Sequence, residues 1–437
     1  RFMRVPWAGG AVLMLCVAAA MLLANLPSTA MYYEHVLSTD LSLLIESPDH
    51  VVDLVFPRDM NVEKLINDGL MVIFFFVVGL EIKREIVCEL STARKAILPV
   101  MAAAGGMLAP ALIYLAFNHG TPAAHGWGIP TATDIAFAIG ILSLMGDRVP
   151  VSLKIFLTAL AVVDDLGAIL VIAIFYGGAV KWGFLFLALA IMAGLYGLNR
   201  LGETRISYFL IPAFVVWGLF YYSGIHATLS GVAMAMIIPM RPRYSKPYFF
   251  RQLRNFTRSL ERVREEDERF PDAEQRYYLQ RMKDLSYNSI GMSYRLEDLL
   301  APYVTFIIMP IFALANAGVR IDLEYLDIFR YSSEGGAVGM GIFLGLLVGK
   351  PLGIFLTSWA AVKSGFAEMP GGVSWRMLLA VACLGGIGFT MSIFVDALAF
   401  DEEFFVNQGK IAILLGSLAS ALLGALLIRV TMPAVKN

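Results

Sequence analysis

The chain has 437 residues, of which 58% are hydrophobic and only 16% charged, with a mean hydropathy of +0.70 and a formal net charge of −1. Soluble domains carry roughly 25% charged and about 45–50% apolar residues. The composition therefore excludes a string of soluble domains, a nucleic-acid binder and a disordered hub, and points to a polytopic membrane protein.

Runs long enough to cross a hydrocarbon core of about 30 Å recur at 8–26, 62–82, 97–117, 127–146, 150–176, 182–199, 206–222, 225–240, 299–318, 336–361, 374–399 and 406–430, twelve in all. The fold class expected is an all-α polytopic membrane protein. The run at 8–26 is read as a retained span and not as a signal-peptide core, because about 20 uncharged residues is long for an h-region and no A-x-A site follows. Cys16 and Cys383 lie inside apolar runs far from each other and from Cys88, which gives no disulfide or zinc pattern.

Loop charge supports the count, since cytoplasmic connections hold the excess of Lys and Arg. Odd-numbered connections are poor in them: 27–61 carries Arg58 alone, 118–126 and 400–409 carry none, 177–181 carries Lys181, and 319–335 carries Arg320 and Arg330. Even-numbered ones hold Lys83, Arg84, Arg94 and Lys95, then Arg148, then Arg200 and Arg205, then a basic block from Arg241 to Arg295. Both termini are thus expected in the cytoplasm. The expected organisation is eight spans over 1–240 with an external loop at 27–61, a charged cytoplasmic helical insert at 241–298, and four spans over 299–437. Within the insert, Leu253, Phe256, Leu260, Val263 and Phe270 keep a 3-4 spacing. Pro271 breaks it, and Tyr278, Met282, Leu285, Met292, Leu296 and Leu299 resume it, which predicts two amphipathic helices.

An ionisable side chain at the centre of a membrane helix costs about 2.5–3.5 kcal/mol even on the lenient scales, so each one needs a reason. Asp68, Asp134, Asp164, Asp165 and Lys350 all fall within spans. Asp164 follows Lys154 by ten residues, about 15 Å of helix, which puts the aspartate pair near the midplane. Adjacent helical residues point about 100° apart, so one carboxylate can face an ion while its neighbour faces another helix. Lys350, the only cation at such depth, needs a counter-charge, and one of the two aspartates is the obvious source. Pro351 after it is expected to kink the helix and free a carbonyl.

The fourth span, WGIPTATDIAFAIGILSLMG, and the eleventh, LLAVACLGGIGFTMSIF, are interrupted at their centres, the first by Pro130, Thr131, Thr133 and Asp134, the second by Gly385, Gly386 and Gly388. Matched interruptions in two halves of a chain predict broken helices of an inverted repeat with a binding site between them. Crossed half-helices would meet with partial charges of about +0.5 and −0.5 at their ends. Asp134 is suited to the positive ends and Lys350 to the negative ones.

The stretch TATDIAFAIGILSLMGDRVPVSLKIFLTALAVVDDLGAI (131–169), with FFFVVGLEIKREI (74–86), PIFALANAGV (310–319), GLLVGKPLGI (345–354) and GGIGFTMSIF (385–394), closely resembles the NhaA family of Na+/H+ antiporters. The resemblance spans essentially every hydrophobic segment. It implies twelve spans, crossed broken helices four and eleven, cytoplasmic termini in a bacterial inner membrane, and homodimers joined partly through the first external loop. Residue by residue it implies that Asp165 is the principal ion-binding aspartate and that Asp164 pairs with Lys350. Asp134 and Thr133 match the broken-helix polar pair, Asp68 a polar residue of span two, and His226 the histidine of S-G-x-H-A-T. Glu81, Arg84, Glu85 and Glu297 match a charged cluster associated with pH response. Asp396, near the outer end of span eleven, is an acid that the resemblance does not account for.

The activity this implies is electrogenic export of Na+ or Li+ in exchange for external H+, with no cofactor, no nucleic-acid partner and no enzymatic chemistry. Hard alkali cations take oxygen ligands, which a carboxylate, a Thr hydroxyl and freed carbonyls supply, and protons compete for the same carboxylate. An intramembrane aspartyl protease is the first rival. It needs carboxylates on two helices facing one water, and no G-x-G-D stretch occurs here. A cation channel or sensor without exchange is the second.

Overall fold

The computed structural model describes residues 7–41, 44–47, 50–53, 60–89, 93–262, 272–321 and 337–432. The helices are α1 (Ala8–Asn25), α2 (Ala30–Ser38), α3 (Val62–Val87), α4 (Ala93–Asn118), α5 (Ile135–Leu144), α6 (Val151–Phe175), α7 (Trp182–Arg200), α8 (Ser207–Ser223), α9 (Leu229–Ile237), α10 (Lys246–Arg262), α11 (Ala273–Asn288), α12 (Met292–Asn316), α13 (Val338–Lys363), α14 (Trp375–Gly385), α15 (Phe389–Ala399) and α16 (Glu403–Thr431). Besides helix, the described residues form a two-stranded antiparallel hairpin, Leu44–Ser47 against His50–Asp53, with Leu44 opposite Asp53 and Ser47 opposite His50. It lies in the 27–61 connection.

Among the described residues nine helical segments are long and apolar enough to span a bilayer, and the pair α14 and α15 makes a tenth, bent by 45° at its break. Each of the twelve hydrophobic runs coincides with helix. However, α8 has 17 residues and α9 only 9, about 14 Å for the latter at 1.5 Å per residue, too short for a straight crossing. Gly224, at φ 83°, ends α8 in the left-handed conformation that glycine adopts without strain.

Two apolar clusters organise the bundle. The larger surrounds the broken helices with α3, α4, α6, α12, α13 and α16. The smaller joins Ala188 and Leu195 of α7, Phe209, Val216 and Phe220 of α8, Met234 and Ala235 of α9, Leu80 of α3 and Met292 of α12. Lys83 fastens the two, donating from Nζ to the Met236 carbonyl at 2.7 Å and the Ala235 carbonyl at 3.3 Å. A cation on these last carbonyls satisfies groups that the end of α9 leaves without intrahelical partners.

In the larger cluster α4 and α13 pack along their length. A Cβ at Gly353 would overlap the Gly105 carbonyl oxygen, so the contact is backbone on backbone. Small residues permit this approach in membrane helices, and it fixes the height of Lys350, one turn earlier. Pro351 does not bend the span sharply: α13 stays one segment, and a π-type turn at Gly345–Gly349 takes up the backbone bond that proline cannot donate.

The insert departs from its predicted pattern. The apolar periodicity from Tyr278 to Leu299 is carried by two helices, because α11 ends at Asn288 and α12 starts at Met292, with Gly291 packed against the Met240 backbone. Asp272 and Gln275 form a capping box at the start of α11. Val263, Phe270 and Pro271 lie outside the described residues. At the other face, Tyr33 of α2 donates its hydroxyl to the Leu314 carbonyl at 2.7 Å. Burial pushes this phenol up to about 12, so it remains a donor throughout the physiological range.

Candidate functional site

The two interrupted spans touch at their breaks. In the fourth, residues Pro122–Thr131 wind as a 3-10 helix, and the chain is extended at Ala132 (ψ 150°) before Asp134 caps α5. In the eleventh, Gly386, Ile387 and Gly388 separate α14 from α15. The Asp134 backbone N–H donates to the Ile387 carbonyl at 2.7 Å and the Thr133 hydroxyl to the Gly385 carbonyl at 3.0 Å. A side chain at Gly388 would crowd the Ala132 carbonyl oxygen, at 3.1 Å, so the crossing needs glycine there.

Asp134 serves both half-helices at once. Its Oδ1 accepts the Phe137 N–H at 3.0 Å, at the start of α5, and its Oδ2 accepts the Thr390 N–H at 3.3 Å and the Thr390 hydroxyl, at the start of α15. Two helix N-termini, each with orphan donors and a partial positive charge, thus converge on one carboxylate. At the opposite polarity, Lys350 Nζ donates to the Thr131 carbonyl, where the 3-10 half ends, and to Asp164 Oδ2 at 2.7 Å.

Asp164 and Asp165 are both 2% exposed, and Lys350 is 1% exposed. Ionised groups this deep persist only when paired and hydrogen-bonded, and Asp164 is the one so provided. Asp165 points elsewhere. It lines a cavity of about 280 Å³ together with Thr133, Asp134, Thr390 and Glu81, closed on the other side by Gly9 and Gly10 of α1, Phe74, Val77 and Val78 of α3, and Val304, Thr305 and Met309 of α12. Asp165 Oδ1 accepts no hydrogen bond among the described residues; Asp164 Oδ1 accepts none either, but its Oδ2 takes the lysine, whereas Asp165 has no cation bonded to it. The hydroxyl of Thr133 gives its one hydrogen to Gly385, leaving its oxygen lone pairs available.

At one end of this cavity stands Glu81. Three residues on, Arg84 reaches across to α12 and donates to Glu297 Oε1, while Glu297 Oε2 accepts nothing among the described residues. Glu85 is buried and has a partner of its own. Asp68 and His226 do not line the cavity. The Asp68 carbonyl accepts from Trp217 Nε1 at 2.9 Å, and His226 Nε2 is within hydrogen-bond distance of the Tyr176 carbonyl. Thr390 was not singled out in the sequence as a site residue, although its place two positions after Gly388 marks it as the first hydroxyl of a half-helix.

A family profile described as Na+/H+ antiporter 1 matches residues 1–428. The chain belongs to this family. Among curated relatives, it is similar to the Na(+)/H(+) antiporter NhaA of Oleidesulfovibrio alaskensis, 47% identical over 367 residues that cover 84% of this chain and 80% of that protein. It is 42% identical to the NhaA of Anaeromyxobacter sp. over 432 residues, 98% of this chain and 90% of the relative. With the NhaA of Bordetella parapertussis it shares 42% identity over 435 residues, covering 99% and 96%. Membership makes it a multi-span membrane protein of a bacterial antiporter family, and hence a member of a transporter family.

Proposed function

We propose that the chain exchanges Na+ or Li+ for H+ across the bacterial inner membrane, exporting the cation against external protons for Na+ and pH homeostasis. The observation that carries this reading is the division of labour between adjacent aspartates. Asp164 is neutralised by Lys350, while Asp165 turns an unpartnered oxygen into a cavity shared with the Thr133 hydroxyl. An alkali cation in that cavity would take oxygen from Asp165 and Thr133, with Asp164 near enough to add charge. A proton on Asp165 removes the anionic oxygen that the cation needs, so the two ligands exclude each other. Asp134 and Lys350 hold the broken ends in place without binding cargo.

The termini lie in the cytoplasm under this reading, the 241–298 segment is a cytoplasmic insert, and the 27–61 connection helps to join a homodimer. More than one proton moves per cation, so transport is electrogenic. Glu81, which lines the cavity, and Arg84, Glu85 and Glu297 tune its pH response: the Arg84–Glu297 pair weakens when the carboxylate is protonated. Glu297→Gln is expected to shift the pH profile of exchange while leaving Na+ half-saturation at the optimum unchanged, as measured in proteoliposomes. A profile identical to the parent's would remove these residues from the pH response.

The decisive test is Asp165→Asn in everted vesicles. Na+-dependent release of a pH gradient is expected to fall to background while the protein accumulates normally in the membrane. Retained exchange would refute the assignment, and passive Na+ flux without proton counterflow in the parent protein would favour a channel.

A further inference from the structure

Asp396 has no part in the site described above, yet it is fully buried, at 0% exposure. It lies on α15 six residues beyond Thr390, about 9 Å along the helix, towards the 400–402 connection and outside the cavity that Thr390 and Asp165 share. Neither of its carboxylate oxygens accepts a hydrogen bond among the described residues. The carboxyl fills space left by Gly409 of α16, where a Cβ would stand 2.9 Å from Oδ2 and overlap Oδ1. The next residue, Lys410, is also buried, and it acts on Asp396 through its charge without forming an ion pair in this arrangement.

The titratable neighbours come from each packed element. From α4 there is Tyr114, just past the end of α6 Tyr176 with the exposed His125 ring edge-on to it, and from α16 Lys410. The part of α12 that packs on α15, Met309–Asn316, holds no titratable side chain. Both tyrosines are already committed: Tyr114 donates its hydroxyl hydrogen to the Ala123 carbonyl at 2.7 Å, and Tyr176 donates to the His125 carbonyl at 2.9 Å. A phenol has one hydrogen to give. What remains to satisfy Asp396 is a proton of its own or the ammonium of Lys410, and a buried carboxylate with neither is costly.

We propose that Asp396 is a second proton-carrying carboxyl of the exchange cycle, with Lys410 as the cation that displaces its proton. With Lys410 standing off, as here, the carboxyl binds H+. When the ammonium closes onto the carboxylate the O–H bond breaks and the proton leaves to water at the 400–402 end. No other reactant is needed. The assignment rests on the Na+/H+ exchange reading and extends it to the far side of the crossing from Asp165.

The test uses the full-length protein in proteoliposomes, with the pH on each side varied separately while Na+-driven proton movement is recorded. Asp396→Asn keeps the shape of the side chain and cannot ionise. Its exchange is expected to lose dependence on the pH of the side bearing the 400–402 connection, with Na+ half-saturation changed by less than about twofold. Lys410→Gln leaves the carboxyl in place without its displacing charge, so the midpoint on that side is expected to rise by about half a pH unit or more. If Asp396→Asn does not accumulate in the membrane, Lys410→Gln carries the same readout. Parental profiles on both sides in the variants that fold would overturn the assignment. Asp165→Asn run in parallel separates the two ideas: if it also exchanges, the transport reading fails, whereas if it is silent while Asp396→Asn behaves as the parent, only the role of Asp396 falls.

Discussion

Lys350 makes two contacts whose loss has different consequences. Its ammonium donates to Asp164 Oδ2 and to the Thr131 carbonyl at the end of the 3-10 half of span four. Removing one partner of a buried pair strands the other charge, at a cost of about 3–5 kcal/mol. Lys350→Met is therefore expected to lower the melting temperature of the purified protein markedly. The double variant Lys350→Met with Asp164→Asn is expected to recover part of the loss, because no charge is then left alone. Equal destabilisation of the single and double variants would show that the packing of the lysine stem, and not its charge, is what matters. These residues were legible in the sequence because an ionisable group in an apolar run is conspicuous. The hydroxyl of Thr390 was not, since threonine is common in membrane helices and only the meeting of two breaks puts it against Asp134.

The breaks themselves were visible as interruptions in spans four and eleven, and their contact follows from half-helix ends that need partners. Less visible was the form of each half: the 3-10 winding of Pro122–Thr131 and the π-type turn before Lys350 depend on neighbours that periodicity does not report. The close crossing of α4 and α13 is of the same kind, written as scattered glycines among 39 in the chain. Gly353→Leu would press a side chain into the Gly105 backbone. Overpacking typically costs about 1–3 kcal/mol, and with main chain as the obstacle the upper part of that range is expected, together with loss of exchange as Lys350 shifts. Unchanged thermal stability in detergent would contradict the close contact.

The molecule as a whole separates a membrane bundle from the α10–α11 hairpin. That hairpin is closed at its base, where the Arg243 N–H donates to the Asn288 carbonyl at 3.0 Å, and its facing helices pack on each other. Replacing 245–287 by a short Gly-Ser linker is therefore expected to leave Na+-driven proton movement within about twofold of the parent, since the ends are already close and loop closure varies only slowly with length. A shifted pH profile in that variant would instead make the hairpin a regulator. The hairpin was anticipated from its charge and its 3-4 spacing, but the division of its second half at Ser289–Gly291 was not, because the apolar residues keep phase across the interruption.

Main chain rests on main chain where Gly105 meets Gly353, so these two rods lack the cushion of side chains over which neighbours slide. Moving as one piece, they would carry Lys350 along, and with it the Asp164 and Thr131 it is bonded to. Any reorientation that uncovers Asp165 to the opposite solution must then slip along the other wall of its chamber. There Gly9 and Gly10 of α1 and Val304, Thr305 and Met309 of α12 bring no charged side chain to the cavity.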